Sequence, residues 1–230
     1  MTVHRFFVAP EDVACERFPL PASIDHQVRR VLRLREGATI VLLTGNATEL
    51  VCRLQDGAVV VEGRRAAPAE PVHRLTIAQA LLKGDALETV VRQGTEVGVS
   101  AFRLVITERS VSREVSPKRL ARLRAIAREA AEQSERGIVP EVEGPVPVAD
   151  VTAPGAILLA ERSDAPRLSA LPAPPSVVVI GPEGGFTQSE LAEAERAGVG
   201  LAGLGPRILR AETVAAAAAA VILARSGDFA

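Results

Sequence analysis

From position 75 onward the chain repeats one pattern, a short and nearly unbroken apolar run followed by a helical one. LTIAQALL (75–82), FRLVIT (102–107), AILLA (156–160) and SVVVI (176–180) lack the strict alternation of a sheet with one wet face. Strands of that kind belong to parallel sheets whose two faces are covered by helices. Between them the apolar period shifts to helical spacing, at Leu87, Val90 and Val91 and again at Leu120, Leu123, Ala127 and Ala130. Helix starts are marked by Asp85 with Glu88 three residues on, by Ser116-Pro117, and by Thr187 with Glu190. Gly137 and Gly198 stand as stops. Thus residues 73–230 are predicted to form an α/β domain with a parallel sheet.

The first 68 residues read differently. HRFFV, ATIVLL, ELVCRL and AVVVE are β-like runs separated by TGNAT and QDG turns. A helical stretch interrupts them, with Ile24, Val28, Val31 and Leu32 on one stripe and arginines between. RRAAPAEPV (64–72) has no periodicity and serves as the predicted linker between a β-domain over 1–68 and the α/β domain over 73–230.

Net charge is −1, so any nucleic-acid footprint must be local. Between Arg17 and Arg35 stand five arginines against Asp25 alone, and from Arg103 to Arg136 nine basic residues against five acids. Lys83 and Lys118 are the only lysines, so nearly all positive charge is guanidinium, suited to phosphate and to stacking. Solvated helix faces explain the same arginines. Cys15 and Cys52 form no disulfide framework, and His4, His26 and His73 lack ligand spacing. A cytoplasmic protein without metal is expected. No signal-type apolar core opens the chain, and the apolar stretch 214–224 is too short to cross a bilayer.

In an open α/β sheet, ligands sit beyond the carboxyl ends of strands. Three turns fall there: AERS (160–163), GPEGGF (181–186) and GPRILRAET (205–213). GPEGGF matches neither a P-loop nor a dinucleotide fingerprint, and Glu183 would repel phosphate, so a neutral or cationic nucleoside suits it better. It is equally readable as a tight connection. Arg207 and Arg210 oppose the dipole of the helix that follows, a cost of about 0.3–1 kcal/mol each unless offset by a function or by pairing with Glu183, Glu190 or Glu212. Along 128–140, Glu129, Gln133 and Arg136 share one helix stripe, which by itself reads as a solvated polar face.

Together these stretches resemble the 16S ribosomal RNA uracil-N3 methyltransferases of the SPOUT superfamily. The resemblance is carried by HRFFV (4–8), His26 with Val31-Leu32-Arg33 and Gly37, Lys83 with Glu88 and TEVGV (95–99), ERS (108–110), 128–134 with Arg136, Val139 and Pro140, 181–186 with Glu190, and 204–213. Val97 and Val214 depart from it conservatively.

The resemblance implies a PUA-like β-barrel followed by an α/β domain with a C-terminal trefoil knot, and a homodimer. It implies S-adenosylmethionine held by Leu159, Ala160, Glu161, Gly181, Pro182, Gly184, Gly185, Leu204, Gly205, Ile208 and Leu209. The partner it implies is 16S rRNA or the assembled small subunit, with no metal and no membrane. On this reading Arg210 stabilises negative charge on the uracil and Glu183 orients or deprotonates it. Arg5, Arg29, Arg30, Arg33, Arg109 and Arg136 are the expected phosphate contacts. Two alternatives stay open, namely a related enzyme acting on another RNA such as tRNA ribose, and a non-catalytic RNA-binding or assembly protein.

Overall fold

A computed structural model describes residues 3–13, 15–161 and 164–229. The chain divides into two compact units, Met1–Glu70 with Ala131–Val139, and Pro71–Ala130 with Pro140–Ala230. Relative to the expected boundaries, the first unit also takes in the segment Ala131–Val139.

The first unit holds β1 (His4–Phe7), β2 (Arg17–Phe18), α1 (Ala22–His26), β3 (Thr39–Leu43), β4 (Thr48–Gln55) and β5 (Ala58–Ala66). Its sheet runs β1-β3-β4-β5-β2, with β1 parallel to β3 and the other pairs antiparallel. Alternation along β1 and β3 sends Phe6, Ile40 and Leu42 into one core with Ile24 and Val28, and Phe7, Val41 and Leu43 into a second with Ala131. Both faces of β3 are covered, which is why Ile40 to Leu43 are all apolar.

The α1 helix gives way to a π-type turn over Gln27–Val31, closed by Leu32 N–H donating to Gln27 O at 2.8 Å. An i→i+5 turn holds one residue more than an α turn. Val31, expected on the apolar stripe, is therefore rotated outward and is 63% exposed.

In the second unit the elements are β6 (Thr76–Ala80), α2 (Ala86–Val97), β7 (Ala101–Ile106), α3 (Pro117–Gln133, whose last turn belongs to the first unit), β8 (Glu141–Pro147), β9 (Ile157–Leu159), β10 (Val177–Ile180), α4 (Gln188–Arg196), β11 (Gly200–Ala202) and α5 (Ala211–Arg225). The sheet order is β11-β9-β10-β6-β7-β8, and every pairing is parallel. This is an α/β fold with a parallel sheet, built on the continuous apolar runs.

β8 was not foreseen, because Gly144, Pro145 and Pro147 argue against a strand. It lies at the sheet edge, where a residue without an N–H is tolerated.

The helix starts differ in kind. Thr187 and Glu190 form the expected reciprocal capping box, and Ser116 Oγ accepts from Arg119 N. Asp85 precedes α2, but its side chain makes no cap and the Glu88 carboxylate pairs instead with Arg122. The α3 helix ends at Gln133, before the expected stop at Gly137, and Glu135 turns the chain with φ +63°.

Candidate active site

β11, β9 and β10 are neighbours and run parallel, so the turns that follow them emerge side by side at one edge of the sheet. They enclose a cavity of about 1070 Å³, lined by 159–161, 180–186, 202–212, Ala86, Arg109, Ala165, Arg167, Leu191 and Val214. Every expected cofactor residue lies on this wall, as do Arg210 and Glu183. Arg162 and Ser163, the end of the AERS turn, lie outside the described residues.

Two glycines give the wall its shape. Gly185 has φ +66° and Gly205 φ +116°, conformations that side chains rarely adopt, so each turn can bring bare backbone to the cavity. In the first turn Gly185 N donates to Pro182 O at 2.9 Å. Gln79, fully buried on β6, donates from Nε2 to Gly181 O at 3.4 Å, and its Oε1 has no partner among the described residues.

Glu183 is exposed, and its Oε1 accepts from Lys83 N at 3.1 Å. This bond ties the turn after β10 to the turn after β6 and leaves the other carboxylate oxygen for a ligand. Arg210 occupies the N-cap position of α5, is exposed, and makes no ion pair among the described residues. Arg207 is exposed and likewise makes none. Among the described residues neither arginine makes the pairing with Glu183, Glu190 or Glu212 that could have explained it; Glu190 is buried and occupied by the backbone amides of Glu108 and Thr187.

The cavity thus combines the exposed Arg207 and Arg210 with Glu161, Glu183 and Glu212. A zwitterionic, cationic nucleoside fits this mixture better than a polyphosphate. Its volume lies at the upper end of the range usual for a small-ligand site. Among the described residues no cluster of His, Cys, Asp or Glu could hold a metal ion, and no helix is long and apolar enough to cross a membrane.

Sequence reasoning missed Arg167 and Ala86 on the wall. Ala86 opens α2 just beyond β6, so the carboxyl-end rule applied to that strand would have found it. Arg167 reaches the wall through an isolated parallel bridge to Gly203, a nonlocal pairing with no sequence signal.

The expected phosphate contacts are scattered and unequal. In the first unit, Arg30 and Arg33 are exposed and unpaired among the described residues. Arg29 is engaged by Asp25 and Glu36, both at 2.7 Å, and these carboxylates, Glu36 foremost, raise its pKa. Arg5 binds the fully buried Glu49 and also Glu135. Arg136, expected first as part of a solvated face and then as an RNA contact, is 2% exposed and paired with Glu70. Guanidinium groups so enclosed are committed to the interior. In the second unit, Arg109 is exposed but donates to the carbonyls of Gly184 and Phe186.

A family model described as RNA methyltransferase domain matches residues 68–223, a span that contains the whole lining of the cavity. The chain belongs to this RNA methyltransferase family. Among its relatives, ribosomal RNA small subunit methyltransferase E of Synechocystis is 36% identical over an alignment covering 95% of this chain and 77% of that protein. The protein of the same name from Bacillus subtilis is 33% identical, with 85% of each covered. A crystal structure of ribosomal RNA small subunit methyltransferase E from Neisseria gonorrhoeae, bound to S-adenosyl methionine, superposes with a TM-score of 0.88 at 28% identity, covering 97% of this chain and 98% of that one. In this family member the cavity therefore coincides with the matched domain, while β1 to β5 precede it.

Proposed function

We propose that this chain transfers the methyl group of S-adenosylmethionine to N3 of a uridine in 16S rRNA of the small ribosomal subunit. The chain is an S-adenosylmethionine-dependent rRNA methyltransferase of the small subunit; the base and the atom are the finer part of the proposal. The observation that carries it is the convergence of three adjacent strand-end turns on one cavity that has on its wall Glu183 and Arg210, the latter without an ion-pair partner among the described residues. When bound, S-adenosylmethionine supplies an electrophilic methyl group on a sulfonium. Leu159, Ala160, Glu161, Gly181, Pro182, Gly184, Gly185, Leu204, Gly205, Ile208 and Leu209 would hold it.

Uracil N3 is a poor nucleophile until its proton leaves. The Glu183 oxygen not engaged by Lys83 N–H takes or directs that proton. Arg210 pairs with the negative charge that then spreads onto a uracil oxygen. A guanidinium without a carboxylate partner keeps its full charge for this purpose, and its place at the mouth of α5 holds it beside the cavity.

The proposal extends to architecture and partners. The five-stranded unit is read as a PUA-like barrel that grips RNA through Arg30 and Arg33, and the chain after β11 as the knotted part of the second domain. A homodimer is supported by the partly exposed small apolar residues Ala216, Ala217, Ala220 and Val221 on α5. Incubating the protein with labelled S-adenosylmethionine and either unmodified small subunits or naked 16S rRNA, then identifying the methylated nucleoside, tests the reading. N3-methyluridine is expected, and ribose methylation, or no label in either substrate, would overturn it.

A further inference from the structure

We infer that Arg109 is a positioning residue that fixes the shape of the glycine turn 181–186, and not a phosphate contact; the inference rests on the cofactor reading above. β7, which ends just before Arg109, is separated from β10 by β6 in the sheet. The turn after β7 nevertheless reaches over the end of β6 to the turn after β10, through two independent links.

The first link is the guanidinium. Arg109 Nη1 donates to Gly184 O at 2.7 Å and to Phe186 O at 3.2 Å, so one nitrogen gathers two carbonyls of the same turn. The stem of the side chain lies along Gly184, where a β-carbon would stand 3.4 Å from Arg109 Cδ and 3.5 Å from its Cβ. The second link is Glu190, whose Oε1 accepts from Glu108 N at 2.8 Å while Oε2 accepts from Thr187 N at 2.9 Å. The turn that carries both links is itself stiff, since Ser110 Oγ accepts from Thr107 N at 3.1 Å and bonds Thr107 Oγ1 at 3.0 Å, all buried.

Hydrogen bonds from a charged donor are stronger than neutral ones. Both bonds come from Nη1, so a phosphate could meet this guanidinium only through Nε and Nη2, in the plane that the two carbonyls already fix. Arg109 also lines the cavity, so its loss would free the Gly184 and Phe186 carbonyls and let the cofactor wall sag.

The test uses the full chain and the variants Arg109→Ala and Arg109→Lys. Calorimetric titration with S-adenosylmethionine and S-adenosylhomocysteine, amide hydrogen exchange, and the salt dependence of RNA binding are compared. Arg109→Ala is expected to weaken both ligands about tenfold or more and to speed exchange across 184–187, with exchange in β6 and β10 unchanged and the RNA salt slope unaltered. Arg109→Lys, which keeps one charged donor, should recover part of the affinity. Unchanged ligand affinity with a salt slope lowered by about 0.7–0.9 would make Arg109 a phosphate contact and overturn the inference. Exchange accelerated throughout the unit would overturn it too. Failure of the unaltered chain to bind either ligand would sink the cofactor reading instead, and exchange across 184–187 would still decide whether the brace exists.

Discussion

Arg136 and Glu70 close the first unit: Arg136 Nη2 lies 3.2 Å from Glu70 Oε2, and Glu70 Oε1 accepts the backbone N–H of Ile138 at 3.0 Å. Segment Ala131–Val139 is thereby held to the unit that contains β1 to β5. Breaking a buried pair leaves the remaining charge without compensation. Arg136→Ala should therefore lower stability by about 3 kcal/mol, read as a shifted urea midpoint, while the salt slope of RNA binding stays as it was. A stable variant with a reduced slope would return Arg136 to the RNA surface.

The exposed arginines of the first unit carry the opposite expectation. Arg30→Gln combined with Arg33→Gln should flatten the dependence of RNA affinity on salt by about 0.7–0.9 per lost contact, because neither side chain has an ion-pair partner among the described residues. Arg29→Gln should change the slope little, since Asp25 and Glu36 already neutralise that guanidinium. Filter binding over a salt series separates the two cases.

Much of the cavity was legible because it follows a topological rule. The turns at the ends of β9, β10 and β11, the last two rich in glycine, could be found from apolar runs and punctuation alone, and parallel pairing then brings them together. Roles that depend on long-range partners could not be found so. Arg5, Arg109 and Arg136 are written like any surface arginine. Their partners lie at Glu49 and Glu135, at Gly184 and Phe186, and at Glu70, far off in sequence. Val31 failed for a local reason, since a helical period assumes i→i+4 closure and the chain closes i→i+5 there. Gly137, taken as a helix stop, is in fact a packing glycine: a β-carbon would stand 2.4 Å from Ala67 Cβ and 2.8 Å from Ala47 Cα.

Arg210 and Glu183 should separate chemistry from binding. Arg210→Ala is expected to reduce turnover about 10²–10³-fold while S-adenosylmethionine affinity changes much less, because the charge it serves develops only during methyl transfer. Glu183→Gln retains an oxygen able to accept the Lys83 N–H, so the turn should keep its shape. Its turnover should nonetheless fall about 10²–10⁴-fold if the carboxylate handles the N3 proton. Single-turnover rates set beside calorimetric affinities make the comparison, and parallel losses in both quantities would refute the assigned roles.

Cys52 gives a pH dependence that can be isolated. Its thiol is fully buried between β-strand neighbours, and burial pushes its pKa up from the ordinary value near 9 to about 11. In that interval the unfolded chain has lost the thiol proton while the folded chain keeps it, so the unfolded state binds fewer protons and stability must fall as pH rises. The fall should approach about 1.4 kcal/mol per pH unit between roughly pH 9 and 11, with nothing contributed below pH 8. Cys52→Ala removes this slope whatever it does to packing. At pH 8 a thiol reagent should modify the exposed Cys15 in the folded protein and reach Cys52 only after denaturation. Equal labelling of both cysteines under native conditions would show that the core around Ile40, Leu50 and Val61 opens more readily than its burial implies.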